Sequence, residues 1–201
     1  MKKYFSLFRY EMKNIVRDPM NLYMCCFPFI LLILSTVIFP LVFKSIGVQK
    51  QATLQVTMLL FLIIMLTLGT FFLSTLTALL LVENKDEHTF NTIAVTPVGV
   101  TGYLRFKMVY LYIMSVISSF IVLYGTKLIA ADQYKVGGVS LFDHVGIAQI
   151  IAFAAVNGLF VSALSLFQSA FAQNKVEGFA FIKGTGIIAL VPALLILDSF
   201  K

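Results

Sequence analysis

The chain has 201 residues, 60% of them apolar and 12% charged, with a formal net charge of +6 and a mean hydropathy of +0.96. A soluble domain runs nearer half apolar and a quarter charged. This chain has too little polar surface to coat a water-facing globule, which excludes a soluble enzyme, a disordered tail and a secreted disulfide scaffold and leaves a polytopic membrane protein.

The positive charge reads as basic residues at membrane edges, because no basic helix face interleaved with aromatics occurs that would suit nucleic acid. The chain opens Met1-Lys2-Lys3, yet the apolar run begins only near Met24 and no small-residue cleavage site follows, so no cleaved signal is expected. In the first segment Phe5, Phe8, Met12 and Ile15 recur at helical spacing among Lys2, Lys3, Arg9 and Lys13. That pattern predicts a helix over 1–19 lying in the membrane interface, with a bend at Arg17-Asp18-Pro19. A plain basic anchor explains the same charges.

Five stretches then carry no charge or almost none: about 24–43, 54–82, 108–126, 145–174 and 178–197, the last holding only Lys183. A helix needs about 20 apolar residues to cross the hydrocarbon core, so each is read as a span. A β-barrel would show alternation that these runs lack. The fold class is therefore all-α, a single membrane helix bundle over 1–201. Cys25 and Cys26 are adjacent inside the first run and read as packing residues. Nine Lys and Arg fall on the side of the N-terminus and five on the other, which places the N-terminus in the cytoplasm.

Between the second and third spans lies the most polar part of the chain, the loop 83–107. Glu83 to Thr89 is hydrophilic, with acids suited to the start of a helix. Phe90, Ile93 and Ala94 follow as an i, i+3, i+4 apolar patch, and Thr96-Pro97 ends it. A short helix with one apolar face is thus expected at the cytoplasmic surface, either as a partner site or packed on the chain's own helices.

Within the spans, Thr67, Thr70, Ser74 and Thr77 line one face of the second, and Ala154, Gly158, Ser162, Ser165 and Ser169 line the fourth. Small residues in the fourth span suit close helix approach. The hydroxyl stripe of the second suits either interhelical bonding or a wet translocation pathway. Lys183 sits about 9 Å into the fifth span, near enough to snorkel or to meet a substrate. No phosphate-cradling loop and no zinc motif occurs. His88 and His144 fall on opposite sides of the membrane, and no metal site is expected. Ser140 with His144 faintly resembles a hydrolase pair but lacks the strand–turn–helix setting.

The loop Glu83…His88-Thr89-Phe90…Val95-Thr96-Pro97…Tyr103-Leu104-x-x-Lys107, with Asn174-Lys175-Val176-Glu177-Gly178 between the last two spans, resembles the type-2 ABC transporter permeases, and within them the fluoroquinolone and drug-export branch. The resemblance covers nearly the whole chain. It implies that the loop helix is a coupling helix seated in a groove of a separate ATPase subunit, with Phe90, Ile93 and Ala94 as anchor, Glu87 and His88 as polar rim, and Thr96 and Pro97 closing it. It implies an interfacial connecting helix over 1–19, a second permease protomer as partner, and export of a hydrophobic or amphipathic substrate. ATP and Mg would be bound by the ATPase, with no cofactor and no catalytic residue on this chain. Two departures stand out: the family has six spans, so a sixth is expected to be missing here, and His88 stands where the family often has glycine. A stand-alone secondary transporter or channel is the alternative reading, although no acidic residue lies within any span.

Overall fold

The computed structural model describes Arg9, residues 19–46, 51–136 and 138–186, and Val191. The expected interfacial helix over 1–19 lies almost wholly outside the described residues, as does half of the fifth stretch. Among the described residues, four helices are long and apolar enough to cross a membrane: Cys25–Lys44, Val56–Asp86, Gly99–Tyr134 and Ile147–Ala170.

The first span is built from α1 (Pro19–Ile33), a π turn (Leu34–Ile38) and α2 (Phe39–Ile46). The π turn has a local cause. Pro40 lacks an N–H and its ring would strike the carbonyl of Thr36 in an α-helix. Widening the turn relieves the clash, and Phe39 N–H bonds to Leu34 O, five residues back. Ser35's carbonyl would take the next bond of that register, but proline has no proton to give. The Tyr134 hydroxyl donates to it instead, at 2.6 Å, from across the bundle.

The second span is α3 (Gln51–Asp86), followed by the short helix α4 (Thr89–Ala94) and the third span α5 (Gly99–Ala130). The helices run further than the charge-free stretches, so α3 ends four residues beyond Val82 and α5 begins nine before Met108. The acids expected at the head of the loop helix accordingly sit at the tail of α3. A 3₁₀ turn (Ala131–Tyr134) and a two-residue hairpin of β1 (Lys135–Val136) and β2 (Val139–Ser140) lead to the fourth span, α6 (Ile147–Ala170), and then α7 (Lys175–Thr185).

Both α3 and α5 pack along α6, and α1 lies across α5 and α3. In lipid no hydrophobic drive separates protein from solvent, so close packing and hydrogen bonds must hold such helices together. The small-residue stripe of α6 serves this: Ala154, Gly158, Ser165 and Ser169 are buried. A Cβ on Gly158 would lie 2.9 Å from Val116 Cγ2 and 3.0 Å from the Tyr112 ring. The opposite face of α6, including Ile151, Val156, Leu159 and Phe160, is exposed, as is fitting for a surface met by lipid.

The bundle has two distinct ends. At one, Tyr134 sits fully buried among Phe43 and Phe142, with ring centroids 5.6 Å from each. At the other, the α3–α4 turn meets the α6–α7 corner.

Candidate functional site

The α4 knob is fixed by its ends. Glu87 N–H bonds Glu83 O at 2.9 Å and His88 N–H bonds Lys85 O at 3.1 Å, closing the last turn of α3. His88 then reverses the chain in the left-handed region, φ 53 and ψ 20. Glycine reaches that conformation without cost, and histidine is among the few other residues enriched there. A glycine at this position, as the resemblance leads one to expect, and His88 answer the same backbone demand. At the far end Thr96 bonds Ile93 O through both its hydroxyl, at 2.7 Å, and its N–H, at 3.0 Å. Gly99 N–H returns to Thr96 O at 3.1 Å, with φ +66 at the glycine.

No residue of α4 is buried. Glu87, His88, Ala94, Thr96 and Pro97 are exposed. Phe90 and Ile93 are half-buried on the side facing α3 and α5, with the Phe90 ring edge-on to Tyr103 at 6.3 Å. Asn84 Nδ2 donates to the Tyr103 hydroxyl at 3.3 Å, tying the same tyrosine to α3. Val95, just past the end of α4, is exposed at 85%. Periodicity identified the apolar patch but not which half of it turns outward.

Behind the knob the last turn of α3 is bound to the α6–α7 corner. Lys85 Nζ donates to the carbonyls of Ser169 and, at 3.2 Å, Ala172. Ser169 lies in the last turn of α6, where carbonyls lack helical partners and the dipole favours a cation, and Ala172 follows just past the helix end. Lys175 Nζ bonds Glu83 at 2.7 Å and lies 3.7 Å from Glu87. The hydrogen bond to Glu83, helped by the charges of Glu83, Glu87 and Asp86, raises the Lys175 pKa above its ordinary 10.5. Asn174 starts α7 as a capping residue, its Oδ1 accepting from Glu177 N–H at 2.9 Å while Glu177 reaches back to Gln173 N–H at 3.0 Å. The segment Asn174 to Gly178 is thus a helix start wired to the loop rather than a free connection.

A polar seam runs through the bundle interior. Thr70 Oγ1 donates to Asn157 Oδ1 at 2.9 Å, and Asn157 Nδ2 donates to Ser119 Oγ at 2.8 Å, so one amide joins α3, α6 and α5. Ser74 Oγ donates to Gln168 Oε1 at 2.9 Å, and Gln168 Nε2 to Thr185 Oγ1 at 3.1 Å, joining α3, α6 and α7. Thr67 instead bonds carbonyls of its own helix, Ile63 O at 2.9 Å and Ile64 O at 3.1 Å. Thr77 is buried, and its hydroxyl has no partner among the described residues. A cavity of about 10 Å³, roughly one water's room, opens beside Thr70, Ser119 and Asn157. Lys183 is exposed on α7, away from the buried face that carries Ile182 and Thr185.

Ser140 is buried and holds its turn together: its Oγ donates to Ala131 O at 3.0 Å and accepts from Phe142 N–H at 3.2 Å. His144 is exposed, four residues on and without a bond to it. Among the described residues no group of three or more His, Cys, Asp and Glu could hold a metal ion.

Sequence reasoning passed over Asn157 and Gln168, took Val95 only as part of the motifs that carry the resemblance, and weighed Lys85 and Lys175 only for orientation and as parts, respectively, of a hydrophilic run and of those motifs. The signal for Asn157 and Gln168 was present: each is an amide inside the fourth, mainly apolar span, where an unsatisfied polar group costs several kcal/mol and must find a partner.

Residues 11–199 match a family model described as fluoroquinolones export permease protein Rv2686c-like. No curated protein and no solved structure matches the chain.

Proposed function

The chain belongs to the family of Rv2686c-like fluoroquinolone export permeases, and from that premise we propose that it is the membrane subunit of an ABC exporter, driven by ATP hydrolysis on a separate ATPase subunit. The observation that carries this is the α4 knob: a short helix with no buried residue, pinned by turn bonds at both ends, projecting from one end of a membrane bundle. A mere connector between α3 and α5 has no use for such a helix. A docking element has, because it must present a fixed shape to a partner and transmit force without buckling. Ala94, Val95, Thr96 and Pro97 are its outward contacts, with Glu87 and His88 at the rim. Phe90 and Ile93 seat the knob on the chain's own helices.

The chain supplies no phosphate-cradling motif, so the energy comes from ATP and Mg held by the ATPase. Two permease protomers rock between inward- and outward-open states as two ATPase subunits close. The N-terminus and the knob face the cytoplasm of a plasma membrane, as the excess of Lys and Arg on that side directs. The substrate is hydrophobic or amphipathic. The translocation pathway follows the α3 face of Thr67, Thr70, Ser74 and Thr77; Lys183, which α7 turns away from that face, is left to the membrane interface. The Thr77 hydroxyl, without a partner among the described residues, supports this, since it is a buried donor on the same face.

The test is co-purification. Ala94→Asp with Val95→Asp is expected to abolish capture of the ATPase while membrane insertion persists, because neither side chain touches the bundle interior. Phe90→Asp with Ile93→Asp is expected to do the same by unseating the knob. Undiminished capture by both pairs contradicts the reading.

A further inference from the structure

The α4 knob alone cannot move a bundle; something must carry its displacement to the spans. We propose that Lys85 and Lys175 are positioning residues that weld the tail of α3 to the α6–α7 corner, so that a push on α4 reaches α3, α6 and α7 as one body. This rests on the docking reading above.

Three observations converge. Lys85 reaches from α3 to the Ser169 carbonyl in the last turn of α6, which no helical N–H satisfies, and to the Ala172 carbonyl in the corner just beyond it. Lys175, the first residue of α7, bonds Glu83 at 2.7 Å and approaches Glu87 at 3.7 Å, one residue before the chain reverses at His88. Apolar packing backs the polar ties: Ala78 and Leu79 of α3 cluster with Ile182 of α7. The two lysines thus act in opposite directions across the corner. One is rooted in α3 and grips α6; the other is rooted in α7 and grips α3.

The arrangement is half-exposed, with Lys175 and Glu83 side chains 44% and 34% accessible. An ion pair so placed adds little to stability. Its value lies in direction. Side chains anchored at both ends resist shear between α3 and the corner, which is the motion that would let the knob tilt without moving the spans. The weld stays closed throughout the cycle, unlike a gate, which must open.

The experiment uses the full chain with its ATPase in proteoliposomes, reading fluoroquinolone transported per ATP hydrolysed. The variants are Lys175→Glu, Glu83→Lys, the two combined, and Lys85→Met. Each single change is expected to leave ATPase capture intact and to lower transport per ATP by about fivefold or more, the lower range of coupling between sites. The combined exchange is expected to restore most of it, which a merely structural role for either residue does not require. In a second arm, Glu83→Cys with Lys175→Cys, in a background with Cys25 and Cys26 changed to Ala, is bridged by a short bifunctional thiol reagent. Bridging is expected in the permease alone and is expected to leave transport running.

Unchanged transport per ATP in the single variants overturns the proposal, as does a combined exchange that restores nothing. Loss of transport on bridging overturns it too, by showing that the corner must open. If the unmodified chain captures no ATPase, the docking reading falls and this inference with it. Efficient bridging in that case shows that the corner geometry is sound and places the failure in the docking reading.

Discussion

Asn157 offers the most exacting test of how this bundle is held. Replacing it with leucine keeps the volume close and removes two interhelical bonds, to Thr70 on α3 and Ser119 on α5. Such bonds inside membrane proteins average about 0.6 kcal/mol and reach about 1.7. Thr70 divides its single proton between Asn157 and the Leu66 carbonyl at 2.8 Å, so that bond belongs at the lower end. The summed loss for Asn157→Leu is then roughly 1–2 kcal/mol. The informative form is a double-mutant cycle, because it separates the pair from the change in packing beside the cavity. Unfolding in mixed micelles, followed by helicity, should give Thr70→Val and Asn157→Leu a coupling of about 0.6 kcal/mol. Thr67→Val serves as the control. Its hydroxyl lies one turn away but bonds only Ile63 and Ile64 of its own helix, so its coupling to Asn157 should be near zero. Equal couplings for Thr67 and Thr70 would refute the claim that this amide joins the helices.

Gly158→Leu should destabilise by about 1–3 kcal/mol through overpacking, since a bare Cβ already meets Val116 and Tyr112 at 3.0 Å or less; the unfolding midpoint in detergent reports it. Tyr134→Phe removes the proton that satisfies the Ser35 carbonyl and should cost about 1–3 kcal/mol, whereas Phe43→Leu nearby alters packing alone and leaves that carbonyl bonded. The Lys175 pKa is raised by folding, so its contribution to stability is complete below pH 10.5 and is lost as pH climbs through the raised value. Thermal unfolding at pH 9 and at pH 11.5 should therefore differ by an increment that Lys175→Met reduces, the remainder belonging to other groups such as Lys135, which Asp132 also holds above its ordinary range; an undiminished increment in that variant contradicts the pairing. Cysteines placed at Val95 and Val139, both exposed and at opposite ends, should react with a membrane-impermeant thiol reagent from the cytoplasmic and external sides respectively.

The spans were legible because their signal is collective. A run of apolar residues longer than the bilayer is thick has few other homes, and the first four runs fall on the four membrane-length helices. The α6 stripe was legible for the same reason, as several small residues repeat at helical spacing. What escaped rests on single residues acting at long range. Asn157 and Gln168 vanish in any hydropathy average, yet they knit the bundle. The π turn required knowing that Pro40 would meet Thr36 and that Tyr134, 99 residues from Ser35, could repair the gap. The tail of α3 extends past Val82 because its charges have partners: Glu83 has Lys175, and Lys85 has the end of α6. Nothing local encodes those partners. At the knob, spacing revealed an apolar patch, but only the placement of Tyr103 shows that Phe90 turns inward and leaves Val95 at the tip.

The central claim is that the knob between α3 and α5 grips a separate motor, and contact mapping from its tip tests it most directly. A photo-reactive side chain at position 95 should, on illumination in native membranes, form a covalent adduct with a nucleotide-hydrolysing subunit, while the same group at Leu128, exposed at the far end of α5, should not. Adducts from position 95 with lipid or with this chain alone would contradict the account.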